Sequence, residues 1–327
     1  MAEFDVIRRL RQIVSSDEAA AHRLPVIGIG DDAAVLEIPP GQQLVVTTDT
    51  LLSGTHFFED MAPSDLGHKS LAVNLSDLAA MGAEPAWFFL ALTLPRVDTD
   101  WLDEFAHGIA GLAEESGIVL AGGDTTSGPL SVTITAMGLI GQGAAITRSG
   151  AREGDLIAVS GPLGDAGFAL SQLAAGLKPG EQARRALDRP QPRLDLGRHL
   201  RGLATSCIDI SDGLLADLGH ILEASGVGAE VRLADLPGSP SLNEAGEQQR
   251  HELQLTGGDD YELCFTIPPS RKAELETIRR ETGLPLVVIG QITGSGPLIC
   301  RAPGGEIYQP EGRGFEHFAK SESETGQ

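Results

Sequence analysis

The chain has 327 residues, 41% of them hydrophobic, with 41 glycines, three cysteines and a formal charge of -22 at pH 7. That length supports about two domains with separate cores, and the acidity excludes a nucleic-acid binder, because phosphate backbones call for basic patches. No apolar run approaches the ~20 residues of a membrane span, residues 1–10 are charged, unlike a secretory signal, and Cys207, Cys264 and Cys300 lack metal-type spacing, so a cytoplasmic chain with reduced thiols is expected.

Phe4, Ile7, Leu10 and Val14 recur at helical spacing and predict a short amphipathic helix over 3–14. P-V-I-G-I-G at 25–30 reads as a strand running into Asp31-Asp32, and Q-L-V-V-T-T at 43–48 as a strand running into Asp49. A helix is predicted over 64–81, with Ser64 as N-cap, Gly82 as its stop and Pro85 just beyond. On that helix Leu71, Leu75 and Leu78 face a core, while Gly67, Ser70, Asn74 and Asp77 form a second stripe. Asp77 either faces water or faces a cation, since an unpaired charge among Ala, Leu and Met is costly to bury. A strand at 87–94, a helix at 100–116 and a strand at 118–121 follow, the last running into Gly122-Gly123-Asp124; a longer strand spans 130–140.

The polar, glycine-bearing stretch at 148–154 marks a junction and divides the chain into domains 1–150 and 151–327. Beyond it, a strand at 155–160 leads into G-P-L-G-D-A-G at 161–167, whose amides open a helix and could meet an anion. Residues 178–193, rich in charge and proline, read as a surface segment. A strand at 207–210 enters S-D-G at 211–213, then a helix at 214–224; 236–250 reads as a polar insertion. G-G-D-D-Y-E-L-C-F at 257–265 and a strand at 286–292 follow, and the tail 321–327 is expected to be disordered. Strands alternate with helices in both halves, which indicates an α/β (or α+β) fold in each domain. N-L-S-D-L at 74–78 and D-I-S-D-G-L at 209–214 form a faint internal echo, each beside a helix.

Asp31-Asp32, Asp49, Asp124 and Asp259-Asp260 share one context: a strand ends, a small residue follows, then the acid. Ligands in α/β sheets bind outside the carboxyl ends of strands, although Asp also caps ordinary turns there. If such carboxylates converge, two of them ~4 Å apart repel by about 4 kcal/mol at an effective dielectric near 20, so the cluster requires cations. Oxygen ligands from Asp, Thr47 and Thr48 suit Mg²⁺ rather than zinc, and Mg²⁺ in a glycine-lined cleft suits a nucleoside triphosphate. Gly67-His68-Lys69-Ser70 is a near miss for the phosphate loop, and no H-R-D or D-F-G set marks a protein kinase. Arg148 is either a phosphate contact or a surface ion-pair partner.

Seven segments stand in the order of a known family. They are G-I-G-D-D-A-A-V at 28–35, T-T-D-T-L-L-S-G-T-H-F at 47–57, N-L-S-D-L-A-A-M-G-A-E-P at 74–85 and G-G-D-T-T at 122–126, then I-T-R-S-G at 146–150, I-D-I-S-D-G-L at 208–214 and G-G-D-D-Y-E-L-C-F. Together they resemble the thiamine-monophosphate kinase family, within the aminoimidazole ribonucleotide synthetase-like superfamily. The resemblance implies the two-domain fold of that superfamily, with an N-terminal mixed sheet bearing helices and a C-terminal α/β domain. It also implies ATP-dependent phosphorylation of thiamine monophosphate to thiamine diphosphate, several Mg²⁺ ions and a homodimer through the N-terminal domains. The Mg²⁺ ligands it implies are Asp32, Thr47, Thr48, Asp49, Asp77, Asp124, Asp209 and Asp212. It places Gly123, Asp124, Arg148 and Ser211 at ATP, and His56, Asp259 and Phe315 at the substrate. Asp259 departs from the family pattern, which has Glu there. Catalysis then rests on in-line positioning and charge neutralisation with no side chain as general base, Asp77, Asp49 and Asp212 being the most critical residues. The alternatives are another ATP-using enzyme of the superfamily and a non-catalytic cation-binding module, for which no D-x-[DN]-x-[DN]-G loop is present.

Overall fold

The protein is described by a computed structural model covering residues 3–14, 24–312 and 314–315. The tail at 321–327 lies outside the described residues. The first helix, α1 (Glu3–Val14), forms as expected but buries Val6, Leu10 and Val14, leaving Phe4 outward. β1 (Gln42–Leu52), α2 (Pro63–Ala80), β2 (Glu84–Leu94), α3 (Thr99–Ser116), β3 (Val119–Ser127) and β4 (Ser131–Gly141) complete the first half. Their sheet has the order β1-β4-β2-β3, with β2 and β3 parallel and the other pairs antiparallel. Helices α1, α2 and α3 cover one face, where Phe88, Phe105, Leu66 and Leu71 are almost fully buried; each such side chain contributes about 1.5–3 kcal/mol of transfer free energy.

The second half contains β5 (Leu156–Val159), α4 (Asp165–Ala174), α5 (Glu181–Asp188), α6 (Leu194–Leu200), β6 (Ser206–Asp209), α7 (Leu214–Ser225) and β7 (Gly228–Arg232). α8 (Glu247–Thr256), β8 (Leu263–Ile267), α9 (Lys272–Thr282), β9 (Val287–Thr293), β10 (Leu298–Arg301) and β11 (Ile307–Tyr308) follow. The sheet order is β11-β10-β7-β9-β5-β8-β6, antiparallel except between β7 and β10. Helix α7 packs on one face, α6 and α9 on the other.

Helix α2 lies between the two sheets, touching β1 and β4 on one side and β6, β8 and α6 on the other. Glycines permit this approach: a Cβ on Gly67 would sit 2.1 Å from the Phe105 carbonyl oxygen, one on Gly108 2.0 Å from that of Ser64, and one on Gly197 2.1 Å from that of Ala79. Backbone therefore meets backbone on both flanks of α2. Covered on both flanks, α2 has fourteen of its eighteen residues buried, the polar His68, Lys69, Ser70, Asn74 and Ser76 among them.

Several expectations need correction. Residues 25–30 form no strand, only the isolated bridges Ile27↔Val35 and Ile29↔Asp31; Pro25 lacks a ladder donor, and Gly30 at φ 124° turns the chain back on itself. Ser64 does not cap α2, which starts at Pro63 after Ala62 without a side-chain cap, because proline in the first turn has no N–H to satisfy. Residues 178–193 are a surface segment on one side only: Lys178, Glu181, Gln182 and Arg185 are exposed, but α5 buries Ala183, Leu187 and Asp188. Residues 236–250 include the fully buried Leu242 and the start of α8. The two echoing segments differ in structure, since 74–78 lies inside α2 whereas 209–214 runs from β6 through a loop into α7.

Candidate active site

Alternation along β1 sets the first wall of the site. Thr47, Asp49 and Leu51 point towards α2, whereas Val46, Thr48, Thr50 and Leu52 point outward. The outward hydroxyls pair across the sheet, Thr48 with Thr135 at 3.0 Å and Thr50 with Thr133 at 2.8 Å. Opposite β1, α2 presents Asp77, whose carboxylate accepts a short hydrogen bond from Thr47 Oγ1. The last residue of β6, Asp209, completes the group at 5% exposure. These strands supply acids differently from the expectation of strand ends: Asp49 and Asp124 lie inside β1 and β3, and Asp259 follows α8 rather than a strand.

All three acids have raised pKa values, with burial as the largest cause in each. Burial first, then the Asp77 charge, pushes Asp49 up to about 6. Burial raises Asp77, opposed by the Thr47 hydroxyl and the Arg148 charge. Burial and the Asp77 charge push Asp209 up to about 8. A charge group assembled at this cost, with oxygen donors throughout, matches a hard divalent cation in its chemistry. Among the described residues, however, no three His, Cys, Asp or Glu side chains close around a single point.

These residues open onto a cavity of about 870 Å³. Asp49, Asp77, Asp209, Ser211 and Asp212 line it together with Thr48. The S-D-G loop holding Ser211 and Asp212 is fixed by a buried residue, Asp217, whose Oδ2 accepts the amides of Ser211, Asp212 and Gly213 at 3.0, 3.0 and 3.1 Å. Of the residues expected at the substrate, His56, Asp259 and Phe315 all line the cavity. His56 Nδ1 accepts the Leu52 amide at 3.0 Å, which orients the ring. Arg148 lies close enough to Asp77 to favour its charged form. Asp32, Gly123 and Asp124 do not line this cavity. The glycine-rich turn at 161–167 is occupied by the protein itself, its Gly164 amide donating to both oxygens of Asp260 at 3.0 and 2.9 Å.

A further part of the lining was not anticipated. It carries Phe57, Phe58, Met61 and Val73, Leu170 from α4, and Arg184, Leu187 and Asp188 from α5. Lys69 of α2 also faces the cavity, at 2% exposure, and its Nζ meets Asp259 Oδ2 at 3.1 Å. The signal for Lys69 in the sequence was that it is the one lysine or arginine on α2.

Comparison with known proteins places this architecture. Residues 30–140 match the family described as AIR synthase related protein, N-terminal domain, and residues 152–301 match its C-terminal domain. The chain is 46% identical over 324 residues to the thiamine-monophosphate kinase of Escherichia coli (strain K12), covering 97% of this chain and 98% of that one. Among solved structures, a thiamine-monophosphate kinase from Stenotrophomonas maltophilia K279a superposes with a TM-score of 0.84 at 45% identity, covering 94% of this chain and 98% of that one. AaThiL complexed with AMPPCP and TMP gives a TM-score of 0.76 at 30% identity, with 97% of each chain covered.

Proposed function

Because this chain belongs to the thiamine-monophosphate kinase family, we propose that ATP and thiamine monophosphate meet in the cavity between its two sheets. The chain is a kinase that phosphorylates thiamine monophosphate at the expense of ATP, giving thiamine diphosphate. The observation that carries the site assignment is one cavity lined both by carboxylates, Asp49, Asp77, Asp209 and Asp212, and by apolar side chains, Phe57, Phe58, Met61 and Leu170. Phosphates belong against the first, and the thiamine rings against the second.

The attacking atom is a phosphate oxygen of thiamine monophosphate, largely ionised at neutral pH because a phosphate monoester has a second pKa near ~6. No general base is required, so His56 serves as a substrate contact held by the Leu52 amide. Thr47, Asp49, Asp77, Asp209 and Asp212 are the residues that would hold Mg²⁺, with Thr48 contributing through its main chain. When bound, the metal offsets the charge of two phosphates that otherwise repel. Arg148 and Ser211 contact the nucleotide; Asp32, Gly123 and Asp124 are assigned to ATP and its metal by resemblance alone. Asp259, His56 and Phe315 receive the thiamine moiety. Transfer is direct and in line, with no phosphoenzyme.

The domain boundary is taken at 150/151, between the last strand of the first sheet and the first of the second. A homodimer is assigned through the first sheet. Buried, unpaired Cys207, Cys264 and Cys300 favour a reducing compartment, the cytoplasm; among the described residues no helix is long and apolar enough to cross a membrane.

The test measures ADP release with and without thiamine monophosphate and Mg²⁺, with Asp77→Asn beside the wild type. Release should require both and fall about 100-fold or more in the variant, as when one preorganised electrostatic group is lost. ADP release indifferent to thiamine monophosphate, or a stable phosphorylated protein after incubation with ATP, overturns the reading.

A further inference from the structure

A buried lysine facing a cavity is costly to maintain unless its charge is partnered. Lys69 stands on α2 two turns before Asp77, on the same helix that carries the aspartate wall. Its partner, Asp259, is constrained from three sides. Lys69 Nζ meets one carboxylate oxygen at 3.1 Å, and the Tyr261 hydroxyl donates to the other at 3.1 Å. The backbone at Asp259 adopts φ 66°, a left-handed conformation in a non-glycine residue. Its amide donates to the Ser211 carbonyl at 2.8 Å, and the Tyr261 amide donates to that of Ile210 at 2.8 Å, tying the loop to the S-D-G segment. All three side chains line the same cavity.

An aspartate is one methylene shorter than a glutamate and covers less distance from the same loop. Its reach is therefore set by where its carboxylate is held. We propose that Lys69 is a positioning residue for substrate recognition: through its ion pair it holds the Asp259 carboxylate towards the organic moiety of thiamine monophosphate, with Tyr261 fixing the second oxygen. The proposal rests on the kinase reading above. On this account Lys69 acts at the substrate through Asp259, makes no contact with the nucleotide, and leaves phosphoryl transfer itself to the aspartate wall.

The full chain is assayed by steady-state kinetics with thiamine monophosphate and ATP varied separately, for Lys69→Met, Asp259→Asn, the double variant and Tyr261→Phe. Methionine keeps the length and packing of the lysine stem, and differential scanning fluorimetry reports whether each variant folds. Lys69→Met should raise KM for thiamine monophosphate about tenfold or more, the scale of losing a charged hydrogen bond, with KM for ATP within about twofold. Combined with Asp259→Asn it should be no worse than the poorer single variant, because residues acting through one another are non-additive. An unchanged KM for thiamine monophosphate overturns the proposal, as does full additivity, which would mean a direct substrate contact for Lys69. Equal increases in both KM values would mean a purely structural role. If Lys69→Met does not fold, Tyr261→Phe decides: a selective rise in the same KM supports the proposal, and none overturns it. Wild-type protein inactive on thiamine monophosphate would instead refute the kinase reading, a distinguishable outcome.

Discussion

Glu262 shows how a single carboxylate fixes the geometry near the cavity. It is 5% exposed and sits one residue after Tyr261 at the start of β8. Arg193 grips it, Nε donating at 2.7 Å with a second, shorter bond from the guanidinium, and Ser160 donates to the same carboxylate. Removing one partner of such a pair strands the other charge in a low-dielectric setting, which costs about 3–5 kcal/mol when both are fully buried. Arg193 keeps 21% of its side chain exposed, so Arg193→Ala should cost about 3 kcal/mol, at the lower end of that range. Urea denaturation should show the loss as a lowered midpoint at unchanged m-value; a midpoint within experimental scatter of wild type would show that the pair contributes nothing net.

At the scale of elements, the site is three carboxylates brought by β1, α2 and β6, and its acid–base behaviour belongs to their packing. Asp49 is pushed up to about 6 and Asp209 up to about 8. Both bind protons in the folded chain at pH values where the unfolded chain has released them, so the metal-free protein loses stability as pH rises towards 8. His68 works in the opposite sense. Burial lowers its pKa, with its Nε2 at 2.9 Å from the Pro190 carbonyl, so its contribution is lost as pH falls below ~6.5, where the unfolded chain takes up the proton. The metal-free melting temperature should therefore rise from pH 8 to about 6.5. Asp209→Asn should flatten that slope, which general charge repulsion would leave intact. Mg²⁺ should raise the melting temperature more at pH 8 than at 6.5, since protons compete for the same oxygens. A metal-free melting temperature that climbs from pH 6.5 to 8 would contradict the assignment.

Much of this arrangement was legible in the residues. Period-2 and period-3.6 patterns placed most strands and helices within a few positions, and the aspartate motifs marked the wall formed by Asp49, Asp77, Asp209 and Asp212. What stayed hidden depends on long-range contact. Local composition does not tell that Arg184 and Asp188 of α5 reach the cavity, because what places α5 there is its packing against α4. Lys69 read as part of a failed phosphate loop because its partner lies 190 positions away. Residues 25–30 had strand composition but no neighbouring strand to complete a ladder.

For the molecule as a whole, the first sheet ends at β1, which among the described residues pairs only with β4 and has no strand on its other edge. Val46 and Leu52 on its outer face are 53% and 43% exposed. An open edge with an apolar face is a liability unless covered, which supports the homodimer assigned to this sheet. Light scattering should give twice the chain mass of 34.2 kDa, and Val46→Glu should shift the population towards monomer. A wild-type protein that runs as a monomer at micromolar concentration would refute the assignment.

The glycine contacts that clamp α2 have a metric consequence. Lys69 and Asp77 are eight residues apart on one helix, about 12 Å along its axis at 1.5 Å per residue. The helix that spaces them cannot shift past its neighbours, because backbone meets backbone at Gly67, Gly108 and Gly197. The helix thus works as a fixed gauge with a recognition mark at one end and a transfer mark at the other. On the kinase reading above, that spacing would select an acceptor by its length as well as its charge.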